Sequence, residues 1–198
     1  MGTRNLTIVV EDKKHKVAQY CQWDGYPEGQ GRTCYNVLKD KVKLTMLAGS
    51  LSKCYFLDQQ EGRKLWKFVH ESVGEEFVED SGVSQEASMA MKMLHPQLQR
   101  DHGALVLETI MNATERVPLA DSIDFVVDHL FCEWVWIIDF DDGLFQAFRP
   151  TKYYDGNKKV KNQKSYLDTL DLDVNMTKVM ELDLDNLPKD EEEFLQLF

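Results

Sequence analysis

Residues 131–148 place the tightest constraint on the fold. From Phe131 to Phe140, Trp134, Trp136, Ile138 and Phe140 fall at one parity and Val135, Ile137 and Asp139 at the other. Side chains alternate between the faces of a strand, so a run apolar at both parities has to be covered on both sides. Asp141-Asp142-Gly143 then offers residues suited to a tight hairpin turn, and Leu144 to Phe148 supplies the returning strand. The pair is predicted as a central hairpin, and other segments must supply its cover.

A second hairpin is predicted at the N-terminus. Leu6, Ile8 and Val10 alternate with Asn5, Thr7 and Val9, a polar turn spans Glu11 to Lys14, and a second strand runs from His15 to Trp23. A helix follows from about Cys34, capped by Thr33, with Val37, Leu38 and Val42 on its apolar face, until Ala48-Gly49-Ser50. Residues 51–112 read as mainly helical. Leu65, Phe68, Val69 and Ser72 trace one face, and residues 74–82 form an exposed turn. Ser84 caps a Met-rich helix that His95-Pro96 ends, and Asp101 caps a further helix burying Leu105, Val106 and Ile110. Residues 154–164 read as a basic loop, Lys178 to Leu184 as a last strand, and Asp190 to Phe198 as a short amphipathic helix or a frayed tail. The fold class is α+β, with a mainly antiparallel sheet, built from the N-terminal hairpin and the Trp-rich C-terminal hairpin, packed against a helical middle section. Residues 1–198 form one domain, with 150–198 as a C-terminal extension.

The net charge of −11 and the pI near 4.9 argue against non-specific binding to nucleic acid or to an anionic membrane, and leave room for a basic protein partner. Cys21, Cys34, Cys54 and Cys132 contain no C-x-x-C pair, so no disulfide framework is expected. There is no basic segment followed by an apolar core at the start, and no apolar run near the roughly 18 residues of a membrane span. Leu6 stands where an N-myristoylation motif wants Ser or Thr. The expected setting is the cytoplasm. His129-x-x-Cys132 is the one suggestive metal pair and reads as core. Asp171-x-Asp173-x-Asn175 lacks the glycine and glutamate of a calcium loop. Neither metal nor cofactor is expected.

Residues 22–33, Q-W-D-G-Y-P-E-G-Q-G-R-T, are the least generic stretch. Three glycines and a proline lie between a strand-like and a helix-like run, where unpaired N–H groups can meet an anion. The spacing excludes a Walker loop, because Gly25 and Gly31 are one residue too far apart and Arg32 replaces the lysine, and it excludes a G-x-G-x-x-G fingerprint. The candidate ligand-binding residues are Arg4, Trp23, Asp24, Tyr26, Gln30 and Arg32, with Arg4 placed to pair with Asp24 or a ligand anion. The alternative assigns Trp23 and Tyr26 to core packing and Asp24 and Thr33 to turn capping. If the protein is an enzyme, Asp24, Asp101 and His102 are the candidate acids and bases. Pairing Cys21 or Cys34 with a histidine has no local signature behind it.

Residues 2–7, G-T-R-N-L-T, and residues 19–31, Q-Y-C-Q-W-D-G-Y-P-E-G-Q-G, resemble a group of uncharacterised fungal and viral proteins that share a W-D-G-Y-P-x-G-x-G signature. Arg100-Asp101-His102-Gly103-Ala104 and Cys132-Glu133-Trp134 are similar as well. The resemblance covers Gly2 to about Phe148 and implies one continuous fold, without an activity to carry over. The expected function is therefore that of an acidic binding or interaction protein, using the glycine-rich loop to recognise a small anionic ligand or a protein partner. The alternative is a small hydrolase or transferase acting on an anionic or amide substrate.

Overall fold

The computed structural model describes residues 2–78, 82–153 and 165–198. The predicted basic loop at 154–164 lies outside the described residues. Among these, seven strands occur: β1 (Asn5–Glu11), β2 (Lys14–Cys21), β3 (Cys54–Phe56), β4 (Val117–Leu119), β5 (Trp134–Asp139), β6 (Leu144–Pro150) and β7 (Met176–Asp183). Five of them form a mixed sheet in the order β2-β1-β5-β6-β7. Three of its four junctions are antiparallel, while β5 lies parallel to β1, from Asn5 beside Trp134 to Val10 beside Asp139. Parallel neighbours need a long crossover, and the chain between β2 and β5 provides it.

Every residue of β5 is buried. Trp134, Trp136 and Ile138 join a core with α1 (Arg32–Leu38), α2 (Lys41–Ser50) and Val106, Leu107 and Ile110 on one face. Val135 and Ile137 join a second core with Val126, Tyr166 and Leu167 on the other. The two parities are thus two covered faces, each removed from water.

The helices depart from the sequence reading at several points. Asp40 accepts hydrogen bonds from the N–H groups of Val42 and Lys43, starting α2 afresh, so one expected helix is two and Val42 is exposed. Thr33 does not cap; it lies inside α1, where its hydroxyl donates to the Gly29 carbonyl at 3.1 Å. Residues 51–112 are not wholly helical, because β3 pairs with β4 in a two-stranded parallel sheet. α3 (Gln59–Ser72) and α4 (Gln85–Leu94) pack on each other around Val69, Ala87 and Met91, in a cluster separate from the two at the sheet. The buried face of α3 is turned towards Leu65, Trp66 and Val69, leaving Phe68 57% exposed. Asp101 makes no cap either. α5 (Val106–Met111) is preceded by a single turn at Gly103–Leu105, with no side chain capping it and with Leu105 exposed.

The two hairpin turns hold each other. The Asp141 carboxylate accepts from the N–H groups of Asp12 (3.0 Å) and Lys13 (2.6 Å), where the backbone takes φ of 56° and 59°. Asp139 in turn accepts from the N–H groups of Asp141 and Asp142, each at 3.0 Å. Burial pushes the Asp139 carboxyl above its ordinary 3.8, with smaller upward pushes from Asp142 and Asp141 opposed by the two backbone hydrogen bonds. A carboxyl raised in the folded state binds its proton more tightly there than when unfolded. It therefore supports folding fully only below the unfolded value, and that support is lost as pH rises through the folded one. Asparagine keeps the acceptor oxygen without the charge. Asp139→Asn is expected to raise Tm at neutral pH, and the gain should close as pH falls below the carboxylate range. A gap that widens on acidification in thermal melts would contradict this.

Candidate functional site

β2 ends at Cys21, and the chain passes through a bend at 22–26 into a wide π-type turn at Pro27–Gly31 that runs directly into α1. Pro27 presets the first helical φ, and Asp24 takes a left-handed φ of 56°. The glycines serve close approach. A Cβ on Gly31 would lie 2.5 Å from the Trp136 ring, and one on Gly25 would lie 2.8 Å from the Thr3 carbonyl and 2.9 Å from Asn5. Gly25 donates its N–H to Thr3 at 2.9 Å, and its carbonyl accepts from the Trp136 indole at 3.0 Å. The N–H groups of Gly29 and Gly31 go to the Tyr26 carbonyl and that of Gln30 goes to Asp24. Four loop N–H groups are therefore turned inward, whereas an anion cradle needs them pointing out.

The Arg100–Ala104 segment lies beside the loop and is bonded to it. Gln22 N–H donates to the Arg100 carbonyl at 2.9 Å, and the Gln30 side-chain oxygen accepts from Ala104 N–H at 2.6 Å. Gly103 lies between them at φ +53°, where a Cβ would fall 2.4 Å from Gln30. Gln30 thus acts as an internal strut. His102 Nε2 sits 3.0 Å from the Thr109 hydroxyl on α5, and burial lowers its pKa, favouring the neutral ring. Asp101 is exposed, 3.7 Å from Arg100.

Arg4 shares the parity of Leu6 and Ile8; its guanidinium lies 4.4 Å over the Phe131 ring and it bonds Tyr20, whose hydroxyl donates to Gln22 at 2.6 Å. It is not paired with Asp24. Arg32 faces Glu191 on α6 (Glu191–Leu195) at 3.8 Å. Arg4, Arg32 and Asp101 thus each have a different neighbour. What the loop does present together is Trp23 (45% exposed), Asp24, Tyr26 (44% exposed) and Glu28, within six residues. Neither Asp24 nor Glu28 has an ionic partner among the described residues. Glu28 is the residue that sequence reasoning passed over. Its signal was its place between Pro27 and Gly29 at the exposed start of a helical turn.

The buried thiols are not poised for chemistry. Burial pushes Cys34 up to about 12, and it raises Cys21 and Cys132 as well. His15 is engaged elsewhere, with Nδ1 2.7 Å from the Tyr166 hydroxyl and Nε2 3.1 Å from Asp121. Among the described residues no group of three or more His, Cys, Asp or Glu side chains could hold a metal ion, and no helix is long and apolar enough to cross a membrane. No family model, curated protein or solved structure matches this chain.

Proposed function

We propose that this is a non-enzymatic binding protein that docks a partner protein on the outer face of residues 22–28. Trp23 and Tyr26 are the rigid contact rings, and Asp24 and Glu28 are the directional polar groups. The observation that carries this reading is the division of the loop. Gly25 and Gly31 pack onto Thr3, Asn5 and Trp136 and four N–H groups are bonded to Thr3 or within the loop, while two half-exposed rings and two carboxylates without an ionic partner among the described residues face out on that braced base. A small anion finds less support, because four N–H groups are spent and Arg32 faces Glu191. The hydrolase or transferase reading rests on the placement of residues 100–104 beside the loop. Against it, His102 engages Thr109 and Asp101 engages Arg100. A cytoplasmic setting fits the four free cysteines.

Trp23→Ala and Tyr26→Ala, both at half-exposed positions, are expected to leave Tm nearly unchanged. Each should weaken capture of a binding partner by roughly 30-fold, the effect of losing an aromatic hot spot of about 2 kcal/mol. Partners recovered equally by wild type and both variants would remove the loop from the interface. A thermal-shift screen against nucleotides, amino acids and cyclic dinucleotides addresses the small-ligand reading, because saturating a native-state site raises the unfolding midpoint.

A further inference from the structure

α4 carries apolar side chains on two opposite sides. Ala87, Ala90 and Met91 face α3, whereas Met89 and Met93 point away from it and are 59% and 78% exposed. An amphipathic helix needs one apolar stripe to hold it on its own domain, so the second stripe is available for something else. Methionine suits such a surface, because its unbranched thioether chain adapts to whatever packs on it.

The outer stripe is Gln85, Glu86, Met89, Lys92 and Met93, all exposed and all at spacings of three and four residues. Glu86 lies three residues before Met89 and Lys92 three residues after it. Neither has an ionic partner among the described residues. This arrangement is self-complementary under a two-fold axis. If an identical helix is laid antiparallel with the axis through Met89, Met89 meets Met89, Glu86 meets Lys92 of the second copy, and Lys92 meets Glu86. Met93 then covers Gln85 on each side. The stripe carries one charge of each sign, so identical surfaces can meet there although the whole chain has a charge of −11.

We propose that the outer face of α4 is a homodimer interface, formed by antiparallel packing of α4 against α4 of a second copy about Met89. A closed two-fold contact needs the same patch on both copies, and equal spacing of acid and base about a central methionine provides it. A foreign partner would place no such demand on the sequence. The methionines supply the buried area, and the exposed ion pairs set orientation more than affinity. A single helix pair is a small interface, so the dimer is weak and concentration-dependent.

Sedimentation velocity of the full chain over a concentration series tests this directly. Wild type is expected to move from monomer towards dimer as concentration rises. Met93→Glu should raise the dissociation constant by about tenfold or more, because it replaces the apolar contact over Gln85 on both sides of the axis with a carboxylate that has no cation facing it. Glu86→Lys and Lys92→Glu each set like charges against one another and should weaken the dimer. The double variant, with both signs exchanged, restores the pairing and should return to within about threefold of wild type, since opposite charges again face one another. All three substitutions lie at exposed positions, and circular dichroism verifies the fold of each variant. A wild type that stays monomeric throughout overturns the proposal. So does a dimer indifferent to Met93→Glu, or a double variant no better than the single reversals.

Discussion

Trp136→Ala is expected to be the most damaging single substitution in the molecule, lowering the unfolding free energy by about 3–5 kcal/mol. The ring is fully buried, stacked on Trp134 at 5.3 Å and 5° and on Phe145 at 5.9 Å, with Phe198 edge-on at 5.7 Å. Truncation would leave a cavity bounded by strands and a closely packed loop, which cannot collapse readily to fill it. It would also leave the Gly25 carbonyl without the indole donor. Since a domain has only about 5–15 kcal/mol to lose, the urea midpoint should fall by a large fraction. Trp136→Phe separates the two contributions. It keeps most of the packing and deletes the donor, for an expected loss of about 1–3 kcal/mol. In both variants amide exchange from Gly25 to Gly31 should accelerate, because Trp136 is the surface on which Gly31 rests. Unchanged exchange there would mean that the loop is braced by Thr3 and Gln30 alone.

How much of this was legible depends on where each partner lies in the chain. Burial of β5 on both faces could be read because that burial dictates the composition of the strand itself. The alternation of Leu6, Ile8 and Val10 likewise marks one buried face of β1. The direction in which β1 and β5 pair could not be read, since it depends on the route of the whole intervening chain. A helical period gives the width of an apolar stripe and not its rotation, which is why Phe68 is exposed, whereas Val42 is exposed because a new helix starts at Asp40 and Leu105 because it lies in the turn before α5. The strands Cys54–Phe56 and Val117–Leu119 are too short to show alternation. Asp40 was a visible cap signal, masked by an apolar period that continued across it. At the loop, the density of glycine was plain and its use was not. Gly25 answers to an indole 111 residues away and Gln30 to an N–H 74 residues away. Composition cannot say which way a polar side chain faces, so Gln30 and Arg32 read as ligand groups although one braces the loop and the other faces the tail.

That tail is where the second large effect is expected. Phe194 in α6 is fully buried, stacked on Tyr35 at 4.7 Å and 9°, and Phe198 packs on Trp134, Trp136 and Phe194. Polar contacts hold the same segment. The Tyr35 hydroxyl donates to the Pro188 carbonyl at 2.8 Å, Asn36 donates to Glu191 at 2.8 Å, and Lys41 donates to the Leu184 carbonyl at 2.9 Å. Leu184, Leu187, Phe194, Leu195 and Phe198 thus pack into the core. Phe194→Ala would cost about 3–5 kcal/mol if the cavity had to be borne in place. But α6 is short and near the chain end, so the segment from Leu184 onwards can detach, and the free energy of undocking sets a ceiling on the loss. Trp136 has no such escape, because β5 lies between two other strands. Phe194→Ala should therefore shift the urea midpoint less than Trp136→Ala, while proteolytic nicking after Leu184 rises steeply under native conditions. Undocking would bare the Trp134 and Trp136 rings beside Phe198, so a red shift in tryptophan emission should precede global unfolding. If emission and secondary structure are instead lost together, α6 belongs to the same cooperative unit as the sheet, and Phe194 should then cost as much as the cavity alone dictates.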